Sequence, residues 1–241
     1  MPLTIRAIPV LSDNYAWFVR DEATGTTAVV DPGEATAIER ALESEGGRLD
    51  FILLTHHHQD HIGGTDALRA RYNAKVAGPA AEQHRMPHLD LALNDNDRIE
   101  LGQSAGQVLA MPGHTLGHIA YYFDQPPALF CGDVLFSLGC GRLFEGTAEQ
   151  MFASLGRLHD LPEQTLVCCG HEYTASNALF ARHVDPDNQA LAARTLEIRT
   201  LRDKGLPTVP STLGQERATN PFLRAGSAQT LATLRKQKDV F

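Results

Sequence analysis

Residues 51–61 read FILLTHHHQDH, and this stretch decides the fold. Phe51 to Leu54 is an unbroken apolar run, which is typical of a strand buried on both faces of a sheet. After Thr55, four histidines and one aspartate follow within six residues. We therefore expect a buried strand that delivers a dense set of imidazoles and a carboxylate to the edge of a sheet.

The histidine run predicts a metal site with two parts. In an extended or turning segment, residues two apart point the same way, so His56 and His58 can reach one ion while His57 points elsewhere. Asp60 and His61 follow where the loop enters the next helix, and they can face a second ion. A surface cluster without metal is the alternative, but burying so many polar groups without partners would be costly. Imidazole and carboxylate ligands suit zinc, and also iron or manganese.

The same order of strand, sharp turn and metal-type side chain occurs three more times along the chain. These places are Pro112-Gly113-His114, Gly132-Asp133 and Gly170-His171. Side chains on short loops at strand ends can converge at one edge of a sheet, where the strands hold them rigidly. A lone histidine is more often a packed or surface residue, so it is the repetition that predicts a shared site.

Short β-rich runs alternate with helical patterns over the first part of the chain, which is typical of an α/β architecture. Apolar runs predict further strands at 26–30, 108–111, 119–123, 128–131 and 166–169. A capping box at Thr147 to Gln150 predicts the start of a helix. Helices are predicted at 174–184, 188–204 and about 227–236, with loop between the last two. We expect an α/β domain over residues 1–172 and a small helical domain over residues 173–241.

The motif Thr55-His56-x-His58-x-Asp60-His61 resembles the signature of the metallo-β-lactamase superfamily. The segments that end in His118, Asp133 and His171 are similar to that superfamily's later motifs, in the same order. The resemblance implies an α/β fold, a four-layered αβ/βα sandwich with the metal site at one edge of two packed sheets. By position, the first metal would be held by His56, His58, His114 and Asp133, and the second by Asp60, His61, Asp133 and His171. His57 and His118 would not be ligands.

Segments outside the shared motif resemble the hydroxyacylglutathione hydrolase family, also called glyoxalase II. They are Ser12–Tyr15, Gly139–Thr147, His171–Thr174, Asn220–Arg224 and Arg235–Asp239. The resemblance implies hydrolysis of S-D-lactoylglutathione and related 2-hydroxyacylglutathiones to D-lactate and glutathione, the second step of methylglyoxal detoxification. It also implies a hydroxide that bridges two metals and is oriented by Asp60. By motif position, the glutathione moiety would be bound by Arg142, Phe144, Tyr173, Arg235 and Lys238.

The distribution of charge favours a small anionic ligand. The chain carries 21 Lys and Arg against 29 Asp and Glu, a net charge of −8, which argues against non-specific nucleic-acid binding. Residues 1–172 carry 11 against 23, or −12, while residues 173–241 carry 10 against 6, or +4. Because glutathione is anionic, an acidic protein needs a local basic patch to bind it, and the C-terminal part supplies one. A solvated basic tail is the alternative interpretation.

Neither a membrane segment nor a disulfide framework is predicted. No apolar run approaches the roughly 18 residues that a membrane span needs, and no secretory signal is visible. The four cysteines include an adjacent pair and no C-x-x-C motif, which disfavours both a disulfide and a four-cysteine zinc site. We expect reduced thiols in a cytoplasmic protein, and the lack of a leftover apolar helix face predicts a monomer.

Three other functions stay open on the sequence alone. A persulfide dioxygenase with a single iron would keep the first histidine motif but would not need a C-terminal glutathione-binding domain. A nuclease would share the two-metal site, but the charge of −12 over residues 1–172 disfavours it. A metal-binding module without catalysis is disfavoured because the bridging ligand set leaves positions for water.

Overall fold

The apolar run at the start of the deciding stretch forms β4 (Phe51–Leu53), an inner strand of a six-stranded sheet. The computed structural model describes residues 3–241. In this first sheet the strands follow one another in chain order. They are β1 (Leu3–Val10), β2 (Asn14–Asp21), β3 (Thr27–Val30), β4, β5 (Lys75–Pro79) and β6 (Leu91–Leu93). The pairs from β3 to β6 are parallel, so β4 is covered on both sides by its neighbours.

A second six-stranded sheet holds most of the later strands. They are β7 (Arg98–Leu101), β8 (Ser104–Ala110), β9 (Ile119–Asp124), β10 (Pro127–Gly132), β13 (Leu166–Cys169) and β14 (Ser211–Thr212). Their spatial order is β14-β13-β10-β9-β8-β7, and β10 pairs with β13 in parallel. A separate short hairpin joins β11 (Leu135–Phe136) to β12 (Gly139–Cys140).

The helices cover the outer faces of the two sheets. They are α1 (Thr36–Ser44), α2 (Gln59–Ile62), α3 (Thr65–Tyr72), α4 (Ala148–Gly156), α5 (Thr174–Val184), α6 (Gln189–Asp203), α7 (Leu213–Thr219) and α8 (Ala228–Val240). A 3₁₀ helix spans Ala80–Arg85. None of the helices within residues 3–241 is long and apolar enough to cross a membrane.

Alternate residues of the inner strands pack in opposite directions, which produces the layers. Leu53 belongs to the core between the two sheets, whereas Ile52 packs with Ile38 of α1 and Leu68 of α3 on the outer face. On the far side, helix α4 contributes Met151 to the same core as the second sheet. The order helix, sheet, sheet, helix is the four-layered αβ/βα sandwich, and the predicted fold class is confirmed.

Most predicted elements occur within a few residues of their expected bounds, but the C-terminal part holds two that were missed. Residues between 204 and 227 were expected to form a loop, and they instead contain β14 and α7. The prediction was wrong because β14 is only two residues long and α7 is short; even so, Thr212 and Gln215 form a capping box that marks the start of α7. The last helix also runs on to Val240 instead of ending near residue 236. The division at residue 172 stays a prediction.

Candidate active site

Three histidines, His56, His58 and His114, form what we call the first cluster. The Nε2 atoms of His56 and His114 lie 3.1 and 3.0 Å from Nδ1 of His58. The outward nitrogens contact neutral groups, since Nδ1 of His56 lies 3.0 Å from the Thr55 hydroxyl and Nδ1 of His114 lies 2.8 Å from the Arg142 carbonyl oxygen. These outer contacts turn both Nε2 atoms toward His58.

Asp60, His61 and His171 form the second cluster, with ligand atoms within 4.8 Å of one another. Oδ2 of Asp60 lies 3.5 Å from Nε2 of His61 and 3.3 Å from Nε2 of His171. Carboxylates contact the outward nitrogens here, because Asp31 lies 3.0 Å from Nδ1 of His61 and Asp13 lies 2.9 Å from Nδ1 of His171. The second cluster is thus backed by negative charge.

The carboxylate of Asp133 lies between the two clusters. Its Oδ2 is 3.4 Å from Nε2 of His114 and 3.4 Å from Nε2 of His171, and its Oδ1 is 3.3 Å from Nε2 of His61. The backbone N–H of Asp133 donates to Nε2 of His118, which is buried and stacks on the ring of His56 with 4.7 Å between centroids. The seven residues predicted as metal ligands therefore come together at one sheet edge.

Glycine makes this close approach possible. A Cβ atom at Gly170 would lie 2.6 Å from Oδ1 of Asp133 and 2.6 Å from Cε1 of His61, which no side chain could occupy. Gly132 has a φ of +46°, and a Cβ there would lie 2.4 Å from the Thr55 hydroxyl oxygen. The glycines that precede Asp133 and His171 in the sequence are therefore required by the packing of the ligand side chains.

Burial sets the proton affinity of the first cluster. It lowers the pKa of His56 well below the ordinary value and that of His58 to about 4, with neighbouring histidines adding to the effect. Burial also lowers the pKa of His114, which Asp133 only partly opposes. These imidazoles are accordingly neutral near pH 7, the form in which a histidine binds a metal.

Carboxylates set the proton affinity of the second cluster. Burial would lower the pKa of His61, but Asp133 and Asp31 outweigh it and raise that pKa well above the ordinary value. Burial likewise opposes hydrogen bonds to Asp133 and Asp60, which raise the pKa of His171 to about 10. The pKa of the Asp133 carboxyl lies well below its usual range, because His61 and His171 outweigh the effect of its burial.

The donor set fits divalent metal ions. Nε2 of His61 and Oδ1 of Asp133 are buried and lie 3.3 Å apart, and within residues 3–241 neither makes a contact with hydrogen-bond geometry. In the first cluster, three imidazole nitrogens converge. A neutral imidazole has only one N–H donor, and the outer contacts of His56 and His114 compete for that donor. A cation would give each converging lone pair a partner, and imidazole with carboxylate is a set that zinc, iron and manganese accept.

One cavity connects the first cluster and Asp133 with the residues predicted to bind glutathione. It has a volume of about 560 Å³ and is lined by His114 and Asp133 on one side. On the other side it is lined by the five predicted residues, Arg142, Phe144, Tyr173, Arg235 and Lys238. The ring of Tyr173 stacks on His171 with 4.5 Å between centroids, and the exposed ring of Phe144 lies 5.2 Å from that of His114.

The basic residues of the cavity differ in how far their donors are already engaged. Arg142 is exposed and its Nε lies 3.7 Å from Asp239. Arg235 is buried, donates to the Cys140 carbonyl oxygen at 2.8 Å and pairs with Asp239 at 3.0 Å. Nζ of Lys238 donates to the Ser176 carbonyl oxygen at 3.2 Å and lies over two aromatic rings. Arg142 therefore has the most donors to spare.

Several residues around the site were not predicted. Asp31 lies where β3 ends, in Asp31-Pro32-Gly33, and the rule that found the metal-type side chains at strand ends would have found it too. Asp13 and Asn14 belong to a segment that was singled out without a role. Glu82 lies on the 3₁₀ helix, where no motif marks it.

Comparison with known proteins extends over the whole length of the chain. The family model for the metallo-beta-lactamase superfamily matches residues 11–171, and the model for the hydroxyacylglutathione hydrolase C-terminus matches residues 172–241. The hydroxyacylglutathione hydrolase of Acidiphilium cryptum is 56% identical over 238 residues, which cover 99% of this chain and 97% of that protein.

Solved structures agree with the sequence comparison. ETHE1 from Myxococcus xanthus superposes with a TM-score of 0.74 at 27% identity, covering 97% of this chain and 90% of its own. TTHA1623, solved in a di-iron-bound form, superposes with a TM-score of 0.57 at 30% identity, covering 70% of this chain and 91% of its own.

Proposed function

The chain belongs to the hydroxyacylglutathione hydrolases of the metallo-beta-lactamase superfamily, and on that basis we propose that it hydrolyses the thioester of S-D-lactoylglutathione and related 2-hydroxyacylglutathiones. The products are D-lactate and glutathione, which places the reaction second in methylglyoxal detoxification. The observation that carries this proposal is the cavity that joins a basic recognition surface to His114 of the first cluster and to Asp133, which lies between the two clusters.

Two divalent metal ions belong to this proposal, with zinc as the first choice and iron or manganese compatible with the same ligands. His56, His58 and His114 would hold one ion, and Asp60, His61 and His171 the other, with Asp133 shared between them. When bound, such ions lower the pKa of water and polarise a carbonyl group. Two buried atoms that face each other at 3.3 Å without hydrogen-bond geometry, Nε2 of His61 and Oδ1 of Asp133, support this assignment.

Asp60 is the residue that orients the attacking water. Its side chain is 40% exposed, so water can reach its carboxylate beside the second cluster. Burial would raise its pKa, but hydrogen bonds with His171 and Asn14 and the charge of His61 lower that pKa below the ordinary range. An ionised carboxylate accepts a hydrogen bond from water and can take its proton as the oxygen attacks the thioester carbonyl carbon.

The chemistry of the leaving group suits the residues present. When the tetrahedral carbon collapses, the C–S bond breaks and the sulfur leaves as the glutathione thiolate. A thiol of ordinary pKa near 8.5 leaves without a strong general acid, unlike an amine. The proton lost by the attacking water returns to the products through solvent, so that one water is consumed for each thioester cleaved.

Recognition of the glutathione moiety rests on the opposite wall of the cavity. The guanidinium of Arg142 has donors available for a carboxylate, and the hydroxyl of Tyr173 lies beside the second cluster. Burial, together with the charges of Arg235 and Arg142, lowers the pKa of Lys238. Burial is the larger cause and the neighbouring positive charge the smaller, and an anionic ligand would offset that charge.

The reaction is tested by the hydrolysis of S-D-lactoylglutathione, measured for wild type and for Arg142→Ala and Lys238→Ala. We expect KM to rise much more than kcat falls, because both side chains bind a part of the substrate that does not react. Lys204→Ala, a charge removal at the exposed end of α6, is the matched control. An unchanged KM in both cavity variants would contradict the assignment of the recognition surface.

A persulfide dioxygenase is separated from this proposal by two measurements on the same preparation. Metal analysis distinguishes one iron from two divalent ions. Oxygen consumption with glutathione persulfide, compared with the rate of thioester cleavage, then distinguishes the reactions. Rapid oxygen consumption without thioester cleavage would overturn the proposed function.

We place the enzyme in the cytoplasm as a monomer. All four cysteines are buried and unpaired, which is compatible with a reducing compartment. Sedimentation of the purified protein tests the oligomeric state, and a stable dimer would contradict this part of the proposal.

A further inference from the structure

Glu82 joins the two loops that carry the histidines of the first cluster. One of its oxygens, Oε2, accepts the backbone N–H of His57 at 2.9 Å and contacts Nδ1 of the same residue at 2.7 Å. The other oxygen, Oε1, accepts the backbone N–H of Gly117 at 2.9 Å. His57 lies between His56 and His58 in the sequence, and Gly117 lies three residues after His114. One carboxylate therefore bonds to the backbone between two of the ligands and to the backbone of the loop that carries the third.

The two loops belong to different sheets. Residues 55–58 follow β4 of the first sheet, whereas residues 112–118 connect β8 and β9 of the second sheet. The geometry of the first cluster therefore depends on how the two sheets are aligned at this edge. Glu82, on the 3₁₀ helix that follows β5, reaches across from the first sheet to the second.

Burial and close packing fix the position of the Glu82 carboxylate. Glu82 is only 3% exposed, so N–H donors of the protein replace the water that would otherwise solvate its carboxyl group. A Cβ at Gly117 would lie 2.5 Å from Cγ of Glu82, so the glycine is what lets the carboxylate approach the backbone. His57 is also close to a second carboxylate, since its Nε2 lies 3.7 Å from Glu145, which in turn accepts the Leu116 N–H at 3.0 Å.

From these contacts we propose that Glu82 is a positioning residue for the first metal, and that His57, which is not a ligand, acts with it. The proposal rests on metal binding by the first cluster, as set out in the proposed function. Glu82 fixes the spacing between His114 and the pair His56 and His58. Replacing Glu82 therefore lets these three side chains occupy a wider range of relative positions. Outer partners of this kind typically change metal affinity by about 10–100-fold.

The first experiment compares zinc binding by wild type, Glu82→Gln and Glu149→Gln, by competition with a chromophoric chelator. An amide at position 82 keeps the size of the side chain but replaces one acceptor oxygen with an NH₂ group. That group then faces a backbone N–H donor, of either His57 or Gly117. We expect one binding step to weaken by about 10–100-fold while the other is unchanged. His114→Ala identifies which step belongs to the first cluster, and Glu149→Gln, exposed on α4, should bind as wild type does.

A second readout separates positioning from general stability. Cobalt replaces zinc in both sites, and its visible absorption reports the ligand geometry. Positioning by Glu82 predicts an altered cobalt spectrum with little change in the unfolding temperature of the metal-free protein. A merely structural role predicts a lower unfolding temperature for loaded and metal-free protein alike, with an unaltered spectrum, and would overturn the proposal.

Variants at His57 keep the test decisive if Glu82→Gln does not fold. Asn at position 57 places an amide N–H near the position of Nδ1, so His57→Asn should bind zinc nearly as wild type does. His57→Leu removes that donor and should weaken the first binding step by about tenfold. Equal affinity in Glu82→Gln and wild type, or in the Leu and Asn variants, would overturn the positioning role alone. A wild type that binds no metal would overturn the proposed function and this inference together.

Discussion

The two clusters have nearly the same ligand chemistry and opposite surroundings. The first is backed by a hydroxyl on Thr55 and a carbonyl oxygen on Arg142, and burial keeps its histidines neutral. The second is backed by the carboxylates of Asp31 and Asp13, and its histidines hold their protons strongly. Burial without a matching carboxylate in the first cluster, and the nearby carboxylates in the second, Asp133 foremost, therefore decide how each site competes with protons for a metal.

Asp133→Asn should have the largest effect, because it removes the charge that both clusters share. We expect the variant to lose several kcal/mol of transition-state stabilisation, which corresponds to a fall in kcat of about a thousand-fold. Steady-state hydrolysis of S-D-lactoylglutathione, with metal content measured in parallel, checks this. A variant that retains both metals and nearly full kcat would show that the clusters work independently.

Asp13→Asn should affect the second cluster alone. The substituted amide has nearly the same shape as the carboxylate and still accepts the Nδ1–H of His171, but it carries no charge. We expect the affinity of the second site to fall by about 10–100-fold with no change at the first site. Chelator competition resolves the two steps, and equal weakening of both would remove the distinction drawn between the clusters.

The pH dependence of metal binding should also differ between the clusters. A folded-state pKa of about 10 for His171 means that the metal-free protein gains stability from its protonation, fully below pH 6.5 and less as the pH rises through 10. A metal must displace that proton and the one that His61 also holds strongly, so the affinity of the second site should rise from pH 7 toward 10, by about tenfold per pH unit for each proton displaced.

The first site should show no such rise above pH 7. The pKa of His58 is about 4, so no proton has to leave this residue. Titration calorimetry in buffers of different ionisation enthalpy measures the protons released at each step. Equal proton release from the two sites would contradict the assigned proton affinities.

Phe144→Ala should have the smallest effect. The ring contacts His58 and His114 of the first cluster from the cavity side, but 62% of it is exposed. An aromatic contact of about 0.5–1.5 kcal/mol corresponds to a change of about two- to tenfold in KM, with metal affinity unchanged. Parallel measurements of KM and zinc affinity test this, and a loss of zinc would mean that the ring supports the ligands themselves.

How far the sequence predicts the site depends on how far apart in the sequence the contacting residues lie. The ligand residues follow strands directly, so short-range patterns locate them. Asp13 is 158 residues from His171, and Asp31 is 30 residues from His61, so no local pattern pairs them. Arg235 was predicted to bind glutathione, but nothing in its motif shows that it also donates to the Cys140 carbonyl oxygen.

The prediction of strands and helices depends on sequence separation in the same way. Long apolar runs such as Phe51 to Leu54 predict their strands because burial on both faces requires such a run. β14 is formed only because Ser211 and Thr212 pair with β13, and a two-residue strand has no periodicity of its own. Helix α7 is only seven residues long, so the capping box at Thr212 and Gln215 is the one local signal that marks it.

The position of Asp133, equally distant from His114 and His171, implies an order in which the sites are loaded. An ion that enters the first cluster meets neutral imidazoles and draws on the charge of Asp133. The second cluster still holds the proton of His171, which an incoming ion must displace. Loading should therefore be sequential, and scarce metal at neutral pH should occupy the first cluster before the second.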